Sequence, residues 1–400
     1  MNSNLNKLHP YPFQRLNELL TGLSTEIKLP EISWAMGEPK HAPPRFLVDA
    51  LTEEGLIQKG FGTYPPTQGT SELRIAIAEF INRRFKLESP MDPDSNVLPV
   101  TGTREALFAF AQSVIDPNSE GITVMPNPFY QIYEGAALLA GSKPYYINCE
   151  PENDFKPNFE SVPKEIWQRC QLLYLCSPGN PAGAVMSIAE LQALINLSDQ
   201  YNFVIASDEC YSEIYMDEQN PPAGLLEAAS LLSRKNYKNC IAFNSLSKRS
   251  NLPGLRSGYV AGDAKIIKKF LLYRTYHGSA MAIHHQALSA LAWADDTHVT
   301  VNRELYREKI NLVVKTLETT WQMELPKAGF YLWPKTPIPD PEFAIRLIKL
   351  SNVKVLPGSY LSRPTSLGNP GSNRARLALV ATKSECLEAA RRIVDCWHKI

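Results

Sequence analysis

The chain has 400 residues, of which 44% are hydrophobic and 20% are charged, as is usual for a soluble globular protein. Its 41 lysines and arginines balance its 41 aspartates and glutamates. This neutrality argues against a nucleic-acid-binding protein, which usually carries a basic surface. Because no apolar run reaches about 18 residues, we also predict no transmembrane helix.

The cysteines and the first residues of the chain bear on its compartment. The seven cysteines are odd in number, scattered and without a C-x-x-C pair, which favours a reducing environment over a disulfide framework. The initial stretch MNSNLNKLHPYPFQRL lacks the charged and then apolar order of a signal peptide. We therefore predict a cytoplasmic protein. None of the seven histidines has the spacing of a zinc site, so we predict no metal.

Hydrophobic periodicity predicts the elements in chain order. An arm with a short helix covers residues 1–44, and apolar residues at helical spacing predict a helix over 71–85. From residue 97 short apolar strands alternate with helices, which is typical of an α/β domain with a mostly parallel sheet. We expect its strands at 97–100, 121–125, 144–147, 171–176, 203–207, 240–243 and 258–261.

The remaining pattern predicts the domain organisation. Residues 265–321 are mostly helical, and the last eighty residues mix helices with strands at 330–333, 353–356 and 375–380. We predict a large domain over residues 45–280. The arm, residues 1–44, and residues 281–400 would form a smaller C-terminal domain.

Three polar residues follow three of the predicted strands. They are Asn180, Asp208 and Lys248, and the separations 208 − 180 = 28 and 248 − 208 = 40 leave room for helical crossovers between parallel strands. Ligands of open α/β sheets bind beyond the carboxyl ends of the strands. An amide, a carboxylate and an amine at this edge predict a cofactor site.

Two segments have the composition of an anion pocket. The segment S-L-S-K-R-S-N-L-P-G-L-R-S-G (245–258) has hydroxyls on both sides of Lys248, and glycines and Arg256 follow it. Guanidinium groups bind phosphate with two parallel hydrogen bonds. Gly102 and Thr103 open a helix directly after a strand, where free N–H groups attract anions. Taken singly, each residue also fits an ordinary role. Lys248 could be a surface lysine, Asp208 a helix cap, and Asn180 a turn residue.

Six motifs in fixed order resolve these alternatives. They are Y-P-P-T-Q-G (64–69), G-T-R-E-A-L (102–107), S-P-G-N-P-A-G (177–183), D-E-C-Y (208–211), 245–258 and R-L-A-L (376–379). Together they resemble the pyridoxal-phosphate-dependent aminotransferases of fold type I, class I/II. The resemblance implies a large domain with a mostly parallel sheet flanked by helices, a smaller α/β C-terminal domain, and a pyridoxal 5′-phosphate cofactor. It also implies a homodimer with shared active sites.

The resemblance assigns catalytic roles to named residues. Lys248 would bind the cofactor aldehyde covalently and then act as base and acid. Asp208 would face the pyridine nitrogen and keep it protonated. Asn180 and Tyr211 would hydrogen-bond the ring 3-oxygen, and Tyr130 would stack on the ring.

The resemblance also assigns the anion-binding residues. The phosphate would be held by Thr103 and the backbone of Gly102, Thr103 and Arg104, and by Ser245, Ser247 and Arg256. Tyr64 would reach it from the other subunit. Arg376 would bind the substrate α-carboxylate in a fork, with Asn180 and the Gly37 backbone beside it.

Longer stretches predict a substrate. Residues 9–13, 37–41, 127–141, 207–215, 245–258, 272–278 and 355–361 resemble the bacterial succinyldiaminopimelate transaminases. Members of that group exchange an amino group between N-succinyl-LL-2,6-diaminopimelate and 2-oxoglutarate, on the route to diaminopimelate and lysine. The products are N-succinyl-2-amino-6-oxopimelate and glutamate. Arg274, His277 and Arg363 are the candidates for binding the extra carboxylates.

Three other functions remain open at this stage. One is an aminotransferase of the same class for aspartate, alanine, an aromatic amino acid or an acetylornithine-like substrate, because fold does not determine substrate. Another is a C–S lyase, which would need no oxo-acid acceptor. The third is a transcription regulator that reuses the fold, which the neutral charge and the early start of the resemblance, near residue 9, argue against.

Overall fold

The structure is a computed structural model that describes residues 1–26, 28–234 and 236–400. The α-helices are α1 (Pro12–Leu20), α2 (Arg45–Leu51), α3 (Glu54–Gly62), α4 (Ser71–Phe85), α5 (Thr103–Val114), α6 (Gln131–Leu139), α7 (Lys164–Trp167), α8 (Ile188–Tyr201), α9 (Leu225–Leu231), α10 (Leu246–Arg249), α11 (Ala264–His277), α12 (Ile283–Ala294), α13 (Thr297–Leu317), α14 (Asp340–Ser351) and α15 (Lys383–Cys396). The strands are β1 (Ile32–Ser33), β2 (Val97–Val100), β3 (Ile122–Asn127), β4 (Lys143–Asn148), β5 (Cys170–Cys176), β6 (Val204–Asp208), β7 (Cys240–Ser245), β8 (Gly258–Gly262), β9 (Tyr331–Leu332), β10 (Val353–Lys354), β11 (Leu356–Pro357) and β12 (Ala375–Ala378).

A mixed sheet forms the centre of the molecule. Within the described residues it has seven strands in the order β2-β8-β7-β6-β5-β3-β4. β8 runs antiparallel to both of its neighbours, and the other pairs are parallel. Helices cover both faces, so the predicted α/β class with a mostly parallel, helix-flanked sheet is confirmed.

Strand periodicity explains why both faces are apolar. Successive side chains of a strand point to opposite faces, so a strand covered on both sides is hydrophobic throughout. In β5, Leu173 packs in the core that contains α4, α8, α9 and α12. Leu172 and Tyr174 pack in the opposite core, which contains α5, α6 and α11.

A second layer is built from both ends of the chain. β11, β12 and β9 form an antiparallel sheet, and β1 of the N-terminal arm pairs with β10. Helices α13, α14 and α15 enclose its core around Trp34, Leu347 and Ile393. The strand expected over 353–356 is divided into β10 and β11, with Val355 between them. The domain boundaries at 44 and 280 stay a prediction.

The carboxyl ends of three parallel strands lie side by side. In the register of the sheet, Cys176 at the end of β5 is opposite Asp208 at the end of β6. Asp208 is in turn opposite Phe243, near the end of β7. Because β8 is antiparallel, its first residue Gly258 lies opposite Ser245, which brings the preceding segment with Arg256 to the same edge.

Across the described ranges, no helix is both long enough and apolar enough to span a membrane.

Candidate active site

A cavity of about 660 Å³ opens at this edge of the sheet. Its walls contain most of the predicted site residues, namely Gly37, Thr103, Arg104, Tyr130, Asn180, Asp208, Tyr211, Ser245, Ser247, Lys248, Arg256 and Arg376. Gly102 precedes Thr103 as the N-cap of α5. Tyr64 is 97% exposed and does not line this cavity within its own chain. Its predicted role belongs to the partner's site and stays a prediction.

Lys248 lies on the single-turn helix α10, directly after β7. Ser245 caps this helix, since its side chain accepts a hydrogen bond from the Ser247 backbone. The Lys248 ammonium donates to the Gly37 carbonyl over 2.6 Å. Burial lowers the pKa of Lys248 to about 8, and the charges of Arg376 and Arg256 act in the same direction. A lysine with this pKa is partly neutral near neutral pH, as a nucleophile and general base must be.

Asp208 is a buried carboxylate at the end of β6. Tyr133 donates its hydroxyl to Oδ2 at 2.7 Å, and the Cys210 backbone N–H donates to Oδ1 at 3.3 Å. Burial raises the pKa of Asp208, while both hydrogen bonds oppose the shift. A buried carboxylate in this setting is stabilised further by a cationic partner in the cavity.

Arg376 presents a guanidinium to the cavity from β12. Its Nη1 donates to Asn180 Oδ1 at 3.1 Å, and its Nη2 donates to the Ala35 carbonyl at 2.8 Å. Nε is buried and has no hydrogen-bond partner among the described residues. The guanidinium therefore keeps an unused N–H donor, and carboxylate oxygens are its natural acceptors.

Two tyrosine hydroxyls meet beside Arg376. Tyr211 and Tyr331 are joined by a hydrogen bond of 2.9 Å, and the Arg376 guanidinium lies 4.6 Å from the centre of the Tyr331 ring. A β-carbon at Gly37 would collide with the Tyr331 hydroxyl. Only glycine lets the Gly37 backbone approach this closely.

The opposite wall forms a cradle for an anion. Thr103 begins α5, whose first backbone N–H groups are free to bind a negative charge. Ser245 Oγ donates to the Ser257 carbonyl at 3.0 Å, and the hydroxyls of Ser245 and Ser247 lie 2.9 Å apart. Gly102 has φ 89°, and a β-carbon there would collide with Arg256 Nη2. A side chain at position 102 would therefore displace the Arg256 guanidinium from its present place beside the cradle.

The three residues expected to bind the extra carboxylates of the substrate lie outside the cavity wall. Arg274 pairs with Glu105 at 2.6 Å, and Arg363 pairs with Glu134 at 2.6 Å. His277 lies 3.8 Å from Glu105. Among the described residues none of the three lines the cavity. Arg104 does line it, is exposed, and donates from Nε to the Tyr130 hydroxyl at 2.8 Å.

Sequence reasoning missed several residues of the site. Tyr133 supports Asp208, Tyr331 supports Tyr211, and the cavity walls also include Tyr11, Glu38 and Cys210. Tyr133 carried a signal, because it lies one helical turn after Tyr130 in N-P-F-Y-Q-I-Y. Tyr331 carried none, since it comes from a distant strand.

Comparison with known proteins decides the family. The family model of aminotransferases of class I and II matches residues 30–393. The chain belongs to this family. Aminotransferases of class I and II depend on pyridoxal phosphate, so this chain is a pyridoxal-phosphate-dependent transaminase.

Individual relatives match along the full length of this aminotransferase. The LL-diaminopimelate aminotransferase of Halothermothrix orenii is 29% identical, with 97% of this chain and 96% of that protein covered. The crystal structure of an aminotransferase from Neisseria meningitidis has a TM-score of 0.94 and 46% identity, covering 99% of this chain and 100% of that one. That of the aminotransferase AspB from Helicobacter pylori has a TM-score of 0.89 and 34% identity, covering 98% and 100%.

The residues present fit the cofactor. The cavity places a reactive amine, a buried carboxylate that forms no salt bridge among the described residues, and an anion cradle around one space. These are the groups that an aldehyde, a pyridine nitrogen and a phosphate need. Lys248, Asp208 and the cradle of Thr103, Ser245, Ser247 and Arg256 would hold these three parts, as the sequence predicts.

Proposed function

We propose that this aminotransferase exchanges the amino group between N-succinyl-LL-2,6-diaminopimelate and 2-oxoglutarate. The products would be N-succinyl-2-amino-6-oxopimelate and glutamate, and the reaction would serve diaminopimelate and lysine biosynthesis. The observation that carries the proposal is a guanidinium that forms no salt bridge among the described residues, that of Arg104, on the wall of a wide cavity that also contains Arg376.

Each residue of the site has one task in the proposed reaction. Bound pyridoxal phosphate supplies an aldehyde for the amino group and an electron-withdrawing ring. Lys248 holds the aldehyde at rest and then moves the proton that leaves the substrate Cα. Asp208 keeps a proton on the ring nitrogen, and Tyr211 and Asn180 donate to the ring oxygen. Arg376 binds the α-carboxylate, which orients Cα toward the Lys248 amine.

The charge of the cavity supports a substrate with several carboxylates. Arg376 would bind the α-carboxylate, and Arg256 closes the phosphate cradle. Arg104 carries a further positive charge and has no carboxylate partner among the described residues, although its Nε is bound to Tyr130. A guanidinium of this kind suits the distal or succinyl carboxylate, because charge-assisted hydrogen bonds to carboxylates are strong.

Unsuccinylated LL-diaminopimelate is the second candidate substrate. It is supported by the relatives called LL-diaminopimelate aminotransferases, which are 28–30% identical over nearly the whole chain. Glu38 also lies exposed on the cavity wall, where its carboxylate could pair with the free distal ammonium of that substrate. The succinyl group removes this positive charge and adds a negative one. LL-diaminopimelate would therefore be favoured by the Glu38 carboxylate, and the succinylated substrate by the Arg104 guanidinium.

A single half-reaction tests the proposal. Purified holoenzyme is mixed with N-succinyl-LL-diaminopimelate, LL-diaminopimelate, glutamate, aspartate, acetylornithine, alanine or an aromatic amino acid, and loss of the yellow absorbance of the bound cofactor is followed. We expect the fastest conversion with the succinylated substrate, and conversion also with glutamate. Faster conversion with LL-diaminopimelate would favour the second candidate. Release of ammonia, pyruvate and a thiol from an added amino acid that carries sulfur at Cβ, without an oxo acid, would indicate a lyase instead.

Replacing Arg104 with methionine tests whether this residue binds the distal carboxylate of the substrate. We expect the KM for N-succinyl-LL-diaminopimelate to rise about 10- to 100-fold, because a charge-assisted hydrogen bond is lost. The KM for alanine, which has no second carboxylate, should stay nearly constant. Arg391→Met, at an exposed position on α15, is the matched control. An equal rise in KM for both substrates would show that Arg104 does not bind the distal end of the substrate.

The homodimer with shared sites is tested at Tyr64. We expect sedimentation of the holoenzyme to give twice the mass of one chain. Tyr64→Phe should weaken cofactor binding about five- to tenfold and leave the dimer intact, since it removes one hydrogen bond to the phosphate. A fully active monomer at the assay concentration would contradict the prediction.

A further inference from the structure

Lys309 of α13 is a buried lysine without an ion pair. Its side chain is 1% exposed, and no carboxylate forms a salt bridge with it among the described residues. Burial lowers its pKa to about 8. A lysine in this position destabilises the folded chain unless its ammonium is hydrogen-bonded, and the proposed reaction does not use it.

The Lys309 ammonium is held by two acceptors from different parts of the chain. It donates to the Ala381 carbonyl at 2.7 Å and lies 2.9 Å from His41 Nε2. It also lies 4.8 Å from the centre of the Tyr306 ring, which attracts a cation. His41 ends the segment G-E-P-K-H (37–41), whose first residue accepts the Lys248 amine.

The contacts continue from His41 to the backbone of Lys248. His41 Nδ1 lies 2.9 Å from Asn302 Oδ1, and Asn302 is on the same helix as Lys309. The Asn302 amide donates to the carbonyls of Lys248 at 3.1 Å and Arg249 at 3.3 Å.

Hydrogen-bonding capacity assigns every proton in this chain of contacts. An ammonium has no lone pair, so Lys309 is the donor and His41 Nε2 the acceptor. The neutral imidazole then carries its proton on Nδ1 and donates to Asn302 Oδ1. This leaves the Asn302 NH₂ group as the donor to the two carbonyls. Burial lowers the pKa of His41, the hydrogen bond to Asn302 opposes this shift, and the Lys309 charge adds to it, so the net effect favours the neutral ring.

We infer that His41, Asn302 and Lys309 are positioning residues. They hold the Lys248 backbone and the Gly37–His41 loop in fixed positions relative to each other. The same network reaches Ala381, which follows the strand that carries Arg376. It therefore connects the three segments that carry the amine, its carbonyl acceptor and the arginine. Small displacements of reacting groups lower rates strongly, so such a network has a direct effect on catalysis. The inference rests on the proposed role of Lys248.

The remaining titratable groups near the pair are few. Glu385 and Cys386 of α15 favour the charged form of Lys309. Lys40 precedes His41 and is exposed. None of these replaces the contact between His41 and Lys309, so the neutral ring depends on that contact and on burial.

Lys309→Met in the holoenzyme is the test. We expect kcat to fall about 10- to 100-fold with a smaller change in KM. The midpoint of the pH titration of the cofactor absorbance should shift by about half a pH unit or more. The melting temperature should change little, because the removal of a buried charge offsets the loss of its two hydrogen bonds. Lys315→Met, at an exposed position on the same helix, should change none of these quantities.

Asn302→Leu and the histidine protonation state give independent checks. Asn302→Leu should lower kcat and shift the absorbance titration in the same direction as Lys309→Met. In ¹⁵N-histidine-labelled wild-type holoenzyme, His41, assigned with His41→Gln, should be neutral and protonated on Nδ1 at neutral pH. Wild-type kcat and titration in folded Lys309→Met, or a His41 ring that carries its proton on Nε2 at that pH, would overturn the inference. Persistence of the cofactor absorbance in Lys248→Ala would instead refute the role of Lys248.

Discussion

Lys248→Ala is expected to abolish transamination and the yellow absorbance of the covalently bound cofactor. The Lys248 amine is the one lysine nitrogen on the described cavity wall, and its pKa of about 8 suits it to react with an aldehyde and to carry a proton. Alanine leaves no group that can do either. The loss should reach the detection limit in a coupled assay with 2-oxoglutarate, and the absorbance should be missing from the purified protein.

The control for this prediction separates chemistry from folding. Lys248→Ala removes a partly buried amine and its hydrogen bond to Gly37, but no salt bridge among the described residues, so the melting temperature should change little. Lys315→Ala, at an exposed position, should retain full activity. Measurable turnover in folded Lys248→Ala at more than a trace of the wild-type rate would mean that another residue binds the cofactor.

Asp208→Ala is expected to lower kcat on the order of 1000-fold, with the cofactor still partly bound. The buried carboxylate is the acidic group placed to keep the ring nitrogen protonated, and without it the ring withdraws electrons poorly. Lys248 and the phosphate cradle remain, so binding should be weakened rather than lost. Single-turnover rates and cofactor titration of the same preparation measure the two effects separately.

Tyr133→Phe is a milder variant that tests the same carboxylate. It keeps the Asp208 charge and removes one hydrogen bond of 2.7 Å, so we expect a loss of only about five- to tenfold. Asp217→Ala, at an exposed position, should have no effect. Wild-type rates in Asp208→Ala, or equal losses in Asp208→Ala and Tyr133→Phe, would contradict the role of the carboxylate.

Local sequence was sufficient for the large sheet and for the residues that follow its strands. The strands are short apolar runs, and Asn180, Asp208 and Lys248 lie at or shortly after the ends of three of them. Parallel strands end at a common edge of the sheet. Residues at the carboxyl ends of such strands are therefore expected to lie close together in the structure. The cavity accordingly contains these three residues together with Arg376.

Ion-pair partners could not be predicted in the same way. Arg274 and Arg363 were reasonable candidates for the substrate from their motifs, yet each is paired with a glutamate more than 160 residues away in sequence. A basic residue near a motif binds whichever acid the fold brings closest, and sequence spacing contains no information about that acid. Arg104 lines the cavity and has no such partner among the described residues.

The sequence by itself determined the fold class, because hydrophobic periodicity marks the elements, and the family, because six motifs resemble it. It also predicted cofactor-binding residues, and the structure places most of them around one cavity. Only the tertiary structure placed Tyr331 beside Tyr211, 120 residues earlier, and joined His41 to Lys309 and Asn302. These contacts join the N-terminal arm and the C-terminal layer to the large sheet. They depend on how separately formed elements pack together, which no local pattern of residues records.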